Sequence, residues 1–248
     1  MKLFLHQLKY EQLIFWRSRE AAFFIFGFPI LLFVLLGSVY TGKIDGSPSS
    51  SVLLVGMLGY GAANTAFAGT AVLLVYRREY GILKRIRSTP LPAGLYLGCV
   101  VLSLLLVFVL DAVTLMAVGR IFFGAHVPSH IGSLLLAILI GTTVFSSIGL
   151  AAAAIIRSAE GSSAVVNFVL LPMAFLSGSF GPTRHYPRVL RAIGDVLPLK
   201  YFIEVVKAIY LGGHEIWAKP GALGMLAAWT VLGVLVAARR FGWEPRER

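Results

Sequence analysis

Three groups of residues in this 248-residue chain are candidates for chemistry. The first is a lone carboxylate, Asp111, well inside an otherwise apolar run over 95–118. A carboxylate at the centre of a membrane helix costs about 2.5–3.5 kcal/mol on insertion scales, so it must face protein or water. There it either serves a substrate or proton path or makes a hydrogen bond between helices. Asn64 and Asn167 lie in two other apolar runs and suit helix–helix contact or the same path. The second group is the basic segment YRREYGILKRIRSTPLP, from Tyr76 to Pro92. The third joins His126 and His130, four apart, with Ser177 and Ser179 upstream of His185. Pro128 opposes the helix that would bring the two imidazoles onto one metal. The serines have no carboxylate nearby in sequence to orient a histidine base. G-x-x-x-x-G-K-[ST], H-E-x-x-H, C-x-x-C and G-x-S-x-G are all absent, so the sequence offers no ATP cradle and no catalytic site of its own.

The basic segment is the most distinctive polar stretch. Tyr76, Tyr80 and Leu83 fall at i, i+4 and i+7 with Ile86 close by, which predicts one apolar stripe on a helix. Arg77, Arg78, Lys84 and Arg85 cover much of the remaining surface, and Pro90 and Pro92 end the helix. Such a helix either lies on a lipid surface or is presented to a cytoplasmic partner. Glu79, one carboxylate among five bases, points to a specific ion pair and so to the partner.

The elements that must position these groups follow from hydropathy. Hydrophobic residues make up 58% of the chain and charged ones 13%, with mean hydropathy +0.84. A soluble domain carries about 25% charged residues. Apolar runs occupy 21–40, 52–75, 95–118, 131–156, 164–180 and 221–238, near the roughly 20 residues needed to cross a bilayer. The fifth is short and contains Pro172, which neighbouring helices can accommodate. The expected fold is all-α: a polytopic integral membrane protein with six transmembrane helices over 21–248. Residues 1–20 form an interfacial helix ahead of them. The first apolar run starts only after Glu20 and is too long for a signal-peptide core, so no cleavable signal is expected. Cys99, the single cysteine, reads as a packing residue, with no disulfide or metal spacing available.

Charge sets the orientation. Net charge is +11, and the basic residues sit at the ends of apolar spans, a pattern for anionic lipid head groups and not for nucleic acid. With the N-terminus inside, fourteen Lys/Arg fall on inner segments and only Lys43 and Arg120 on the two short outer loops. The long segment 181–220 places six more outside, and long loops count little in this rule. Both termini are therefore expected in the cytoplasm. Within that outer segment, Pro198 to Leu211 (PLKYFIEVVKAIYL) has a helix start and a Gly212-Gly213 stop. It is too short to span, so it either lies in the outer interface or dips into the membrane and returns. Gly56, Gly59, Gly61, Ala62 and Ala63 offer a close-packing face, read as a contact between protomers.

Taken in order, several stretches resemble the membrane subunits of type-2 ABC exporters, especially the drug- and antibiotic-resistance kind. Trp16-Arg17-Ser18-Arg19, followed by Pro29 and Gly37, resembles the family's entry into its first helix. Arg78-Glu79-Tyr80-Gly81-Ile82-Leu83 with Thr89-Pro90-Leu91 resembles its R-E-x-G-T-L…T-P-L cytoplasmic helix. Leu171-Pro172 with Ser177-Gly178 and Pro182 resembles the fifth-helix exit, and Leu197 to Glu204 (LPLKYFIE) the outer re-entrant stretch. The tail from Arg239 to Arg246 looks like actinobacterial members. The chain departs from the pattern at Ile82, where Thr is usual, and at Lys84, where Glu is common.

The resemblance implies a permease subunit in the bacterial inner membrane, forming the path for a drug, antibiotic or lipid-like molecule. A cytoplasmic ABC ATPase subunit would supply energy, with ATP and Mg bound there and no cofactor in this chain. The coupling helix would comprise Arg77, Arg78, Glu79, Tyr80, Gly81, Leu83, Arg85 and Arg87. The outer re-entrant segment would contain Pro198, Tyr201, Phe202 and Glu204. A second permease copy, identical or related, would complete the path. Two alternatives stay open: a proton-coupled secondary transporter using Asp111, or a polysaccharide or glycolipid exporter of the same family.

Overall fold

The computed structural model describes residues 2–44 and 46–244. Arg246 of the tail lies outside them. Helix α1 (Lys2–Arg17) is followed by α2, a continuous helix over 19–39 whose stretch Phe23–Gly27 is π-wound. A two-stranded hairpin, β1 (Lys43–Ile44) and β2 (Ser47–Pro48), leads into α3 (Ser49–Glu79), which contains a second π stretch at Ala63–Ala68. Next come the short α4 (Ile82–Arg87), α5 (Ala93–Phe123), α6 (Ile131–Ile155) and α7 (Ala159–Leu176). The pair α8 (Arg188–Gly194) and α9 (Pro198–Tyr210) precedes a 3₁₀ turn at Ile216–Ala218 and the last helix, α10 (Pro220–Arg240).

Among the described residues, α3, α5, α6, α7 and α10 are long and apolar enough to cross a membrane. The apolar part of α2, Phe23–Val39, falls just short by itself, but 21 continuous helical residues rise about 31 Å. The chain is thus an all-α polytopic membrane protein. The helices overrun the apolar runs where charge is satisfied internally: α3 continues past residue 75 to Glu79, and α5 past 118 to Phe123. Gly124, in the left-handed region at φ 61°, stops α5. Ser158, whose Oγ accepts the Gly161 amide at 3.3 Å, starts α7 five residues ahead of the expected span.

Helix α3 is the axis, packed against α2, α5, α6, α7 and α9. Its glycines explain how. A Cβ on Gly56 would lie 2.2 Å from the Ser179 carbonyl oxygen, one on Gly59 2.5 Å from Ile203, and one on Gly61 2.6 Å from Asp111. Contact at this range needs residues without side chains. The small-residue face of α3 therefore closes packing within the chain, which corrects its reading as a contact between protomers. Helices α7 and α10 lie at the periphery and leave much of their apolar surface exposed.

Candidate functional site

Both described termini lie at one end of the bundle, where three consecutive side chains of α3 hold three different elements. Successive helical residues point about 100° apart, so one stretch can reach neighbours on all sides. The Arg77 guanidinium donates to both oxygens of Glu11 on α1, each at 2.7 Å, and to the Tyr96 hydroxyl on α5 at 2.6 Å. Gln12 on α1 reinforces this by donating to the Ser103 carbonyl and hydroxyl at 2.9 Å. Arg78, 1% exposed, donates to the carbonyls of Ala153 and Ile156 at 2.6 and 2.5 Å. Those are last-turn groups of α6 that the helix leaves unsatisfied, and a cation suits that end of the dipole. The Glu79 carboxylate accepts the Ala159 amide at the start of α7, where an anion is favoured. Arg77, Arg78 and Glu79 thus fasten the end of α3 to α1, α5, α6 and α7.

Immediately beyond, Gly81 adopts φ 69°, breaks the helix and redirects the chain into α4. The continuous stripe expected from Tyr76, Tyr80 and Leu83 does not form. Leu83 turns inward and is fully buried, while Tyr76 and Tyr80 stay exposed with ring centroids 4.3 Å apart. Arg77 and Arg78 also leave the polar face that helical spacing assigned them. What this end presents to solvent is Tyr76, Tyr80, Lys84, Arg85 and Arg87.

A crevice of about 620 Å³ lies between α2, α3 and α7, lined by Phe24, Phe28, Tyr60, Asn64, Asn167 and Leu171 among others. The π stretches of α2 and α3 meet there, and the Asn64 amide donates to the Phe24 carbonyl at 3.2 Å. Widened turns of this kind recur at functional sites. On the side away from the termini, rings follow one another: Phe28 to Tyr60 at 6.1 Å, Tyr60 to Phe180 at 5.4 Å, Phe180 to Phe175 at 4.7 Å. Asn64 and Asn167 therefore share one crevice, but Asp111 does not join them. It is fully buried against Gly61, and neither carboxylate oxygen has a hydrogen-bond partner among the described residues.

At the far end, α8 and α9 form a hairpin sunk among the long helices. The Trp229 indole donates to the Val196 carbonyl at 3.0 Å, nine residues and so about 14 Å along α10. Phe202 packs on Gly141, ten residues into α6, and its ring meets Phe145 edge-on at 5.8 Å. The hairpin tip therefore lies about 14 Å along α10 from that helix's start, and not at its end. The segment thus folds back alongside α6 and α10 and does not lie across their ends. Pro198 opens α9 at its first turn and is buried, and the Tyr201 hydroxyl donates to the Asp195 carbonyl at 2.5 Å. Glu204 is half-buried and lines a side recess with Lys200 and Lys207.

Comparison with known proteins supplies the class. The ABC-2 type transporter family matches residues 2–211, which takes in α1 through α9. The chain belongs to this family. The inner membrane transport permease YhhJ of Escherichia coli (strain K12) is 25% identical over 145 residues, and its Shigella flexneri counterpart is equally similar. That alignment covers 58% of this chain and 39% of the relative, so the chain spans well under half of the relative's length. The ycf38 protein of Cyanophora paradoxa is 30% identical over 179 residues, covering 67% of this chain and 59% of that protein.

In this ABC-2 permease several residues of the junction escaped the sequence. Glu11 carried a signal, as one of two carboxylates in a basic, aromatic-rich stretch before the first span. Tyr96 carried none, being one aromatic among many. Arg188 and Arg191, on α8, were visible only as charge in a long loop.

Proposed function

We propose that the permease is the membrane half of an ATP-driven exporter whose energy comes from a separate cytoplasmic ATPase. Both termini face the cytoplasm. The ATPase, with its ATP and Mg, docks on the surface of Tyr76, Tyr80, Lys84, Arg85 and Arg87. A second permease copy covers the crevice between α2, α3 and α7, and a hydrophobic or amphiphilic substrate passes along Asn64 and Asn167. Exposed Phe168 (81%), Val165 and Val169 on α7, with Phe23 and Phe24 on α2, supply an apolar face suited to that copy.

One observation carries this reading: Arg77, Arg78 and Glu79 fasten α3 to four other helices directly beside the exposed α4. A push on α4 reaches α3 and α7, two of the three helices that border the crevice. Glu79, expected to meet a partner, instead holds α7 inside the chain, so it serves coupling by position and not by contact.

The unpartnered Asp111 favours a second reading, a proton-coupled carrier. Vesicles reconstituted with and without the ATPase separate the two. Transport that needs ATP, persists without a proton gradient and survives Asp111→Asn supports the exporter. A Tyr80→Ala, Arg85→Glu, Arg87→Glu variant should retain at least about tenfold less ATPase on co-purification, a loss of some 1.4 kcal/mol. Insertion should be unchanged, because these groups are exposed. Full ATPase retention by that variant would remove the docking assignment.

A further inference from the structure

Positive charge on the outer side is disfavoured in short loops, yet the segment 181–220 carries six Lys/Arg. The fold gathers three of them, Arg188, Arg191 and Lys200, around one recess of about 410 Å³ that also receives Thr183 and Asp195. Asp195 is already engaged, accepting from Lys200. The guanidiniums of Arg188 and Arg191 have no ion-pair or hydrogen-bond partner among the described residues. Three apart on α8, they project from one side of the helix. The recess therefore holds two uncompensated guanidiniums, the group that best matches a phosphate through paired N–H donors.

The same short helix is apolar on its other exposed positions: Val189 is 70% exposed, and Ile193 and nearby Val196 are also exposed. Its position is fixed from below. A Cβ on Gly194 would lie 2.7 Å from the Leu176 carbonyl oxygen, so α8 rests directly on the end of α7. Trp229 holds the adjoining Val196 carbonyl. A rigidly seated helix with a basic recess on one side and bare aliphatic groups on the other matches a molecule with an anionic head and an apolar tail.

We propose that this recess binds an acidic phospholipid of the outer leaflet, its phosphate between Arg188 and Arg191 and its acyl chain along Val189, Ile193 and Val196. The assignment rests on the orientation given under Proposed function, which puts this end outside, but not on ATP coupling. A phospholipid with a cationic headgroup carries its own counter-charge and engages the arginine pair less.

The test is native mass spectrometry of the full purified chain, titrated in detergent with phosphatidylglycerol or phosphatidylcholine. The wild type should retain phosphatidylglycerol at least about tenfold better, and Arg188→Gln with Arg191→Gln should bring it down to the phosphatidylcholine level. Both guanidiniums are exposed, so the thermal midpoint of the variant should not move. Inorganic phosphate should fail to displace the lipid, because it lacks the apolar arm. Equal retention of the two lipids by wild type overturns the proposal without any variant, as does undiminished binding by a folded double variant. Displacement by inorganic phosphate would make this an anion site and equally overturn the lipid assignment. Since no ATPase is present, either outcome leaves the transport reading to its own test.

Discussion

Arg77 and Glu11 meet with three charge-assisted contacts, counting Tyr96, at side-chain exposures of 6% and 3%. Burial makes such a pair costly to assemble and costlier to break, because removing one member strands the other away from water. Arg77→Ala or Glu11→Ala should therefore destabilise the protein by about 3–5 kcal/mol. Arg77→Lys should recover only part, since an ammonium cannot grip both carboxylate oxygens as a guanidinium does. Thermal denaturation of purified variants reads this directly. A loss of only about 0–1 kcal/mol, typical of exposed pairs, would show that water reaches the site.

At the scale of elements, the turn between α3 and α4 decides what the basic end displays. Gly81 at φ 69° is in the left-handed region, where any other L-residue except Asn or Asp pays about 1–2 kcal/mol. Gly81→Ala is expected to cost that much and to pull α4 toward a straight continuation of α3, withdrawing Leu83 from its buried seat. ATPase retention should fall with it, while Gly81→Asn should behave nearly as wild type. Equal ATPase retention by the alanine and asparagine variants would show that the angle of α4 is irrelevant to docking. Helix α9 illustrates the opposite case: a proline start and a glycine stop were enough to define it, and packing then chose its depth.

For the whole molecule, the charge bias predicts an orientation that labelling can check. In a Cys99→Ser background, Thr41→Cys and His185→Cys should react with an impermeant thiol reagent added outside, and Arg85→Cys only after the membrane is opened. All three positions are exposed, so reactivity reports sidedness and not burial. Reaction of Arg85→Cys from outside would invert the molecule, and with it the ATPase surface and the leaflet of the lipid site.

By itself the sequence determined what depends on solvent and local geometry. Apolar runs, most of them near bilayer length, dictated the all-α polytopic class and the order of the apolar helices, since backbone groups in lipid must be satisfied within helices. Pro198 and Gly212 marked α9, and the junction segment stood out by charge alone. Tertiary structure decided which charges are surface and which are structure. Arg77 and Arg78 look the same as Arg85 and Arg87 in the sequence, but the first pair ends buried because Glu11 and the carbonyl end of α6 lie where α3 stops. Helical spacing likewise misjudged Tyr76, Tyr80 and Leu83, because one residue at positive φ resets the phase of everything after it. The pairing of Asn64 with Asn167, the isolation of Asp111 and the gathering of Arg188, Arg191 and Lys200 all join residues distant in sequence or separated by a turn. Local pattern holds no record of such neighbours; only packing brings them together.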